Sequence, residues 1–326
     1  MKAIVYRNYG PPDVLEIDEV EKPTPGDDEV LIRVGAAEAT KADCELRSFS
    51  FAVQWFWLPL RIAMGVIRPR KPILGGYFAG VVEGIGKNVV KFKRGDRVFG
   101  TTGLRFGAYG EYVCLPADYT IVAMPVNASF EQAAAVPLGG LNALHFMRKA
   151  KIRSGEKVLV NGAGGSIGTF AVQIARDMGA EVTAVDSAIK EDMLRRIGAV
   201  HFFDYAREDF TKSGQTYDVI FNMVAGFPYT RCVGLLNSNG RYLIGNPGLS
   251  DMLRAVFTSK FSDKKVVFTF AGEQEEELLA LRGMMEAGKI ESVLDNVYPP
   301  EQAVAAHRRV ETEQRVGVVV ISMDKP

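Results

Sequence analysis

Seven consecutive positions, Gly162, Ala163, Gly164, Gly165, Ser166, Ile167 and Gly168, place four glycines between an apolar run at 158–160 and a stretch of helical periodicity. Glycine removes the side chain that would keep a ligand away from the main chain. A helix that starts just after such a turn presents its unpaired N–H groups, with partial positive charge, to an anion. The pyrophosphate of a dinucleotide suits that arrangement. A second apolar run at 182–185 ends in Asp186, eighteen residues past Gly168, where a carboxylate can accept hydrogen bonds from the adenine ribose hydroxyls. A glycine pattern alone also serves simply to let a helix pack on a sheet, so the elements around it decide the reading.

Those elements alternate. Phe170, Ala171, Ile174, Ala175 and Met178 recur at helical spacing, and Gly179 supplies the stop. Strand-like runs follow at 201–204, 218–224, 241–245 and 266–270, with helical stretches between most of them and Gly198, Gly214 or Gly240 at the turns. The pattern predicts an α/β, doubly wound parallel sheet with helices on both faces. In that architecture ligands meet the carboxyl ends of the strands, which makes Asn222, Val224, Asn246 and Phe270 candidate contacts to a nicotinamide; Arg315, just before the last strand, is a candidate to close over phosphates.

The earlier part of the chain reads differently, as short strands at 2–6, 14–19, 29–36, 80–85, 97–100, 110–113 and 120–123, punctuated by Pro11, Pro12, Pro23, Pro25, Gly26, Gly84, Gly86 and Gly95. This spacing predicts a β-rich, partly open barrel. An acidic start at 273–277 opens an amphipathic helix that ends near Gly288, and the final strand at 317–322 is expected to return to the N-terminal domain.

Size and composition fit two domains, since 326 residues with 47% hydrophobic content can fill two cores. Lys+Arg and Asp+Glu both number 39, so no basic field recruits nucleic acid and the expected partner is a small molecule. Cys44, Cys114 and Cys232 are isolated, which fits a reducing compartment and argues against a disulfide framework or a zinc knuckle. The N-terminus shows no secretory or transit pattern, and a cytoplasmic protein is expected. The aromatic segment at 49–67 is interrupted by Pro59 and Arg61, which makes a membrane span improbable; a helix over the core, a lid on a substrate pocket and a surface patch remain open for it.

The segments 79–86 (AGVVEGIG), 92–100 (FKRGDRVFG), 106–113 (FGAYGEYV), 161–175 (NGAGGSIGTFAVQIA), 195–205 (RRIGAVHFFDY) and 298–312 (YPPEQAVAAHRRVET) together resemble the medium-chain dehydrogenase/reductase superfamily. The resemblance spans essentially the whole chain and is strongest to the zinc-independent, zeta-crystallin-like quinone oxidoreductases. It implies a GroES-like catalytic domain at 1–125, a Rossmann nucleotide domain at 126–265 and a return to the catalytic domain at 266–326. A homodimer joined by edge strands of the nucleotide domain is also implied.

By the same resemblance, the positions that ligate catalytic zinc in the alcohol dehydrogenases fall at Thr40, Gly76 and Leu138, none a thiolate or imidazole, so no metal is expected. His145, His201 and His307 are spread over separate elements and are read as structural. Thr40, Lys41, Asp43 and Tyr77 fall where the resemblance puts the cleft, and are the candidates for hydrogen bonds or a proton, Thr40 and Lys41 first on position; Tyr109 is read as packing on a strand. Ser187, Lys190 and Tyr205 match positions that bind the 2′-phosphate of NADP in quinone oxidoreductases, whereas Asp186 favours NAD. The balance falls slightly to NADPH. The expected activity is zinc-free reduction of quinones or α,β-unsaturated carbonyls; an alcohol or aldehyde reductase and a nucleotide-sensing or membrane-associated binding protein are the alternatives.

Overall fold

The computed structural model describes residues 1–53, 55–269 and 272–323. Along the chain come β1 (Lys2–Tyr6), β2 (Leu15–Glu19), β3 (Glu29–Ala39), α1 (Lys41–Ser48), α2 (Trp57–Met64), β4 (Tyr77–Ile85), β5 (Arg97–Thr101), β6 (Tyr112–Pro116), β7 (Ile121–Ala123) and α3 (Phe130–Ala134). Then follow α4 (Pro137–Ala150), β8 (Lys157–Asn161), α5 (Ser166–Asp177), β9 (Glu181–Asp186), α6 (Glu191–Ile197), β10 (His201–Asp204), β11 (Tyr217–Asn222), α7 (Tyr229–Gly234), β12 (Leu236–Ile244), α8 (Leu249–Phe261) and β13 (Lys265–Phe268). The chain ends with α9 (Glu275–Glu286), β14 (Leu294–Tyr298), α10 (Ala303–Glu311) and β15 (Val318–Ser322). Two compact units divide it: Met1–Phe51, Trp57–Leu138 and Glu273–Pro326 form one, Ala52–Phe56 and Gly139–Gly272 the other.

In the first unit β3 organises a seven-stranded sheet. Its N-terminal half pairs with β6 and its C-terminal half with β15, both antiparallel, while β4 runs along its other edge and leads on to β5 and β7. Register shifts between Leu31 and Ile32 and between Val34 and Ala36 mark irregularities that bend a long strand, as closure toward a barrel requires. Both faces of β3 are covered, so even Glu38 is buried there.

The second unit carries six parallel strands in the order β10-β9-β8-β11-β12-β13. This is the doubly wound dinucleotide-binding order, which reverses between β8 and β11. Val158, Leu159 and Val160 of central β8 are fully buried, as expected of a parallel strand covered on both faces. α5 buries Phe170, Ala171, Ile174 and Ala175, and Gly179 follows at φ +83°, a left-handed position that stops the helix. Each of the larger buried side chains contributes roughly 1.5–3 kcal/mol.

Three elements differ from the sequence reading. β12 starts at Leu236, five residues before the expected strand, and β14 had no counterpart in it. The 49–67 segment yields only the eight-residue α2, of which Met64 alone is buried, so it is not a helix laid over the core. Among the described residues no helix is long and apolar enough to cross a membrane.

Candidate active site

The glycine turn lies at the carboxyl end of β8. Gly162 adopts φ +83°, and a Cβ on Gly168 would stand 2.3 Å from the Gly162 carbonyl oxygen and 2.5 Å from that of Ala163, so α5 can approach β8 this closely only with hydrogen there. Gly165 is the N-cap of α5 and no side chain caps the helix, while Ser166 and Ile167 form its first turn. A Cβ on Gly165 would meet only the Gly162 oxygen, at 3.9 Å, which leaves room before the helix N-terminus. An anion placed there faces N–H groups that have no partner inside the helix.

Beside the turn, Asp186 at the end of β9 is buried and committed. It accepts hydrogen bonds from Gly164 N–H at 2.7 Å and Ser187 N–H at 2.8 Å, and pairs with the Lys190 ammonium at 2.8 Å. Both partners are about nine-tenths buried or more. The Lys190 stem crosses directly over Gly164, where a Cβ would collide with its Cδ at 2.3 Å. Tyr205, just past β10, is exposed and its N–H bonds the Asp186 carbonyl at 3.3 Å. The structure thus brings Asp186, Ser187, Lys190 and Tyr205 to one corner of the sheet.

At the adjoining strand ends Asn222 is fixed from several sides. It accepts from Asn161 Nδ2 at 2.8 Å and from Val224 N–H at 3.2 Å, and its Nδ2 donates to the Val224 carbonyl at 3.1 Å and the Tyr242 hydroxyl at 3.3 Å. Asn161, at the end of β8, was missed by the sequence reading, although an amide closing an apolar strand beside the glycine turn was the available signal. Asn246 is exposed and donates to the Met223 carbonyl at 2.8 Å. Phe270 lies outside the described residues.

The first unit holds the other polar groups. Thr40 is the N-cap of α1 in a capping box with Asp43: its hydroxyl accepts Asp43 N–H at 2.9 Å and donates to Asp43 Oδ2 at 2.6 Å, while Thr40 N–H reaches the same oxygen at 3.0 Å. Gly75 N–H donates to Oδ1 at 3.1 Å, and the Tyr109 hydroxyl also bonds this carboxylate. Burial raises the pKa of Asp43, and the donors from Thr40, Gly75 and Tyr109 oppose the rise. Tyr109 lies in the turn ahead of β6 rather than on a strand, fully buried, 3.1 Å from His307 Nε2; His307 Nδ1 is 3.3 Å from Cys44 Sγ.

Tyr109 thus stands between Asp43 and His307, and the Cys44 thiol faces both the His307 ring and, at 3.7 Å, the His307 carbonyl. Sequence reading had no access to this cluster.

Tyr77 opens β4 directly across from Thr101 of β5. Burial raises its pKa far above the ordinary tyrosine value, with the Glu273, Glu38 and Asp43 carboxylates adding to the rise. Glu273, read from sequence only as part of an acidic helix start, accepts a hydrogen bond from Thr101 at 2.6 Å. Lys41 is exposed and bonds Glu313 instead of joining the buried cluster. Arg315 is half-buried in the first unit and donates to the Val310 carbonyl at 2.9 Å.

Residues 26–126 match the alcohol dehydrogenase GroES-like domain, and residues 197–321 match the zinc-binding dehydrogenases. The chain is 31% identical over 326 residues to a quinone oxidoreductase of Sus scrofa, covering 95% of this chain and 94% of that one. It is 29% identical to the 2-methylene-furan-3-one reductase of Solanum lycopersicum, covering 98% and 79%. The structure of the quinone oxidoreductase from Coxiella burnetii is similar with a TM-score of 0.88 at 27% identity, over 99% of both chains.

With the strand order and the glycine turn, these matches define an NAD(P)H oxidoreductase. The chain belongs to the medium-chain dehydrogenase/reductase superfamily, in its quinone oxidoreductase branch.

The turn fits a nicotinamide dinucleotide: Gly162 to Gly168 leave the space, and α5 supplies the N–H groups. Zinc, which the second family description raises, finds a different donor set. Thr40 commits its hydroxyl proton to Asp43, Gly76 has no side chain and Leu138 is aliphatic, and among the described residues no group of three or more His, Cys, Asp or Glu could hold a metal ion. These residues do not fit a catalytic zinc.

Proposed function

We propose that this enzyme uses NADPH in preference to NADH to reduce quinones or other α,β-unsaturated carbonyls, without zinc, as a cytoplasmic homodimer. The observation that carries the substrate class is the donor set at Thr40, Gly76 and Leu138, which offers nothing to polarise a simple carbonyl as a metal would. A conjugated acceptor spreads the incoming negative charge over its own π-system, so hydrogen bonds suffice to stabilise it. Similarity to a quinone oxidoreductase and to a reductase named for an enone supports the same class.

The bound cofactor supplies the hydride. The nucleotide domain expected at 126–265 would bind it through the glycine turn, and the catalytic domain expected at 1–125 with its return at 266–326 would supply the substrate's hydrogen bonds, whereas the compact units divide after Leu138 and before Glu273. Tyr77 is the donor favoured here, because Thr40 and Lys41 are committed to Asp43 and Glu313 while burial keeps the Tyr77 hydroxyl protonated as an ordinary tyrosine would be. Thr40 points its proton at Asp43 and presents an acceptor lone pair, and Lys41 serves only if it leaves Glu313.

NADPH is favoured by the Lys190–Asp186 pair. The carboxylate that would repel a 2′-phosphate is already neutralised by Lys190 and two N–H groups, and the ammonium, with three donors, can be shared between Asp186 and a phosphate beside Ser187 and Tyr205. Free Cys44, Cys114 and Cys232 suit a reducing compartment.

Oxidation of NADPH and NADH, followed by nicotinamide absorbance against quinones, enones and simple aldehydes with and without a chelator, tests the reading. Chelator-resistant turnover of quinones or enones with the lower KM for NADPH is expected, and Lys190→Ala should raise that KM about tenfold or more while leaving the KM for NADH nearly unchanged. Reduction of aldehydes alone would select an alcohol or aldehyde reductase. Tight nucleotide binding with no turnover would leave a binding protein.

A further inference from the structure

Between Glu45 and Glu83 the chain contains no acidic residue, while it carries Arg47, Arg61, Arg68, Arg70 and Lys71. Arg47 is buried and paired with Glu311, which leaves four cations in the stretch that includes α2 and the loop after it. The same stretch turns its apolar side chains outward. Leu58 is 62% exposed, Ile62 55%, Val66 59% and Ile67 85%, with Trp57 also exposed. Leu58 and Ile62 are one helical turn apart, so they share a face of α2.

This display is built rather than loose. The Tyr9 hydroxyl bonds the Met64 and Gly65 carbonyls at 3.1 and 2.8 Å, capping the C-terminal end of α2. Gly65, at φ +118°, would place a Cβ 2.1 Å from the Arg68 carbonyl oxygen, and Arg70 N–H returns to the Met64 carbonyl at 2.8 Å, so the basic loop folds back on the helix end. The Arg61 guanidinium stands 4.0 Å above the Tyr9 ring and 4.4 Å above that of Phe49, held by cation–π contacts. Arg68 and Arg70 therefore remain exposed at the rim of an apolar knob, while Lys71 beside them bonds the Leu104 carbonyl.

We propose that α2 and the loop at 65–71 dock this protein reversibly on a lipid surface rich in anionic headgroups, the aliphatic and tryptophan side chains entering the interface, Arg68 and Arg70 meeting the phosphates and Lys71 adding its charge from the Leu104 carbonyl. Exposed aliphatics and tryptophan flanked only by bases are the composition of interfacial elements. A neutral partner would leave those bases uncompensated, whereas an anionic bilayer meets the bases with its phosphates and takes the aliphatics out of water. Lipophilic quinones dissolve in bilayers, so docking would bring the enzyme to its acceptor; that consequence rests on the quinone reading, but the docking does not.

Co-sedimentation of the intact protein with vesicles of phosphatidylcholine alone, and of phosphatidylcholine mixed with phosphatidylserine, tests the proposal. Binding to the mixed vesicles only, released by salt, is expected. Combined Arg68→Gln, Arg70→Gln and Lys71→Gln should weaken it on the order of a hundredfold, at roughly fivefold for each charge removed. Leu58→Ser with Ile62→Ser should weaken it too, with an unchanged Tm, and both variants should turn over a water-soluble acceptor at the wild-type rate. Failure to bind either vesicle, or equal binding by wild type and variants, would overturn the proposal. A loss of water-soluble turnover in Leu58→Ser/Ile62→Ser without any vesicle binding by the wild type would overturn it in favour of a substrate lid. Vesicle binding and turnover are separate readouts, so loss of one leaves the other standing.

Discussion

His307 shows how far one side chain's environment can set its chemistry. It is fully buried, and burial, with the Arg47 guanidinium adding, pushes the imidazole from its ordinary 6.5 down to about 3. Between those values the unfolded chain binds a proton that the folded chain refuses. Stability is therefore complete above about pH 6.5 and falls as the pH drops toward about 3, by about 1.4 kcal/mol per unit. Asp43 works in the opposite sense: burial raises its carboxyl, so the folded state takes up a proton before the unfolded one and regains some stability in acid. The difference between wild type and His307→Gln isolates the imidazole. Urea unfolding across this range should find the variant about 1–2 kcal/mol less stable near neutrality, because its amide cannot reproduce both hydrogen bonds, yet with a flatter acid limb. Parallel curves would remove His307 as the source of the slope. No sequence pattern announces this cluster, because its members meet only in the fold: His307 lies 198 residues from Tyr109 and 263 from Cys44.

Among the elements, the turn from β8 into α5 was the most legible, and the reason is physical: strand, glycines and helix are contiguous, so spacing alone carries the geometry. Strands such as β1, β8, β9 and β10 were equally readable from short apolar runs. β14 was not, since Leu294–Tyr298 contains Asp295 and Asn296 and is made a strand by pairing with β15, a partner that local composition does not reveal. The early part of β12 reads as a turn because Asn239 and Gly240 interrupt it, with Asn239 at φ +58°. The glycine turn also permits a paired test of its two roles. Gly168→Ala sets a methyl against two carbonyl oxygens and should lower Tm by several degrees or prevent folding, along with nucleotide binding. Gly165→Ala has an ordinary φ of −88° and open space, so Tm should hold within a degree or two, while NADPH affinity, measured by quenching of intrinsic fluorescence, falls at least about tenfold. Unchanged affinity in a folded Gly165→Ala would mean that the cofactor does not approach this N-terminus.

For the molecule as a whole, the exposed face of α8 is hardest to reconcile with a solitary chain in water. Leu249, Leu253, Val256, Phe257 and Phe261 are all more than half exposed, and they recur at three- and four-residue intervals along a helix that buries only Ala255. Immediately after it comes β13, the last strand of the parallel sheet, which has no strand on its outer edge among the described residues; the Ser259 hydroxyl bonds the Val266 N–H and carbonyl there, and the strand reads Val266, Val267, Phe268. An edge strand closed only by one hydroxyl is open to association, and a contiguous apolar patch beside it gives that association area. The proposed homodimer would cover both features at once: a twofold axis beside β13 would set one α8 near the other and pair the two edges antiparallel where Ser259 gives up Val266. The homodimer should accordingly persist at micromolar concentration in light scattering coupled to size exclusion. Leu253→Glu with Phe257→Glu places four like charges in that interface and should yield a monomer whose NADPH affinity is unchanged, since neither residue belongs to the glycine turn. A wild type that elutes as a monomer at all concentrations would refute the arrangement, and a dimer indifferent to both substitutions would move the interface away from α8.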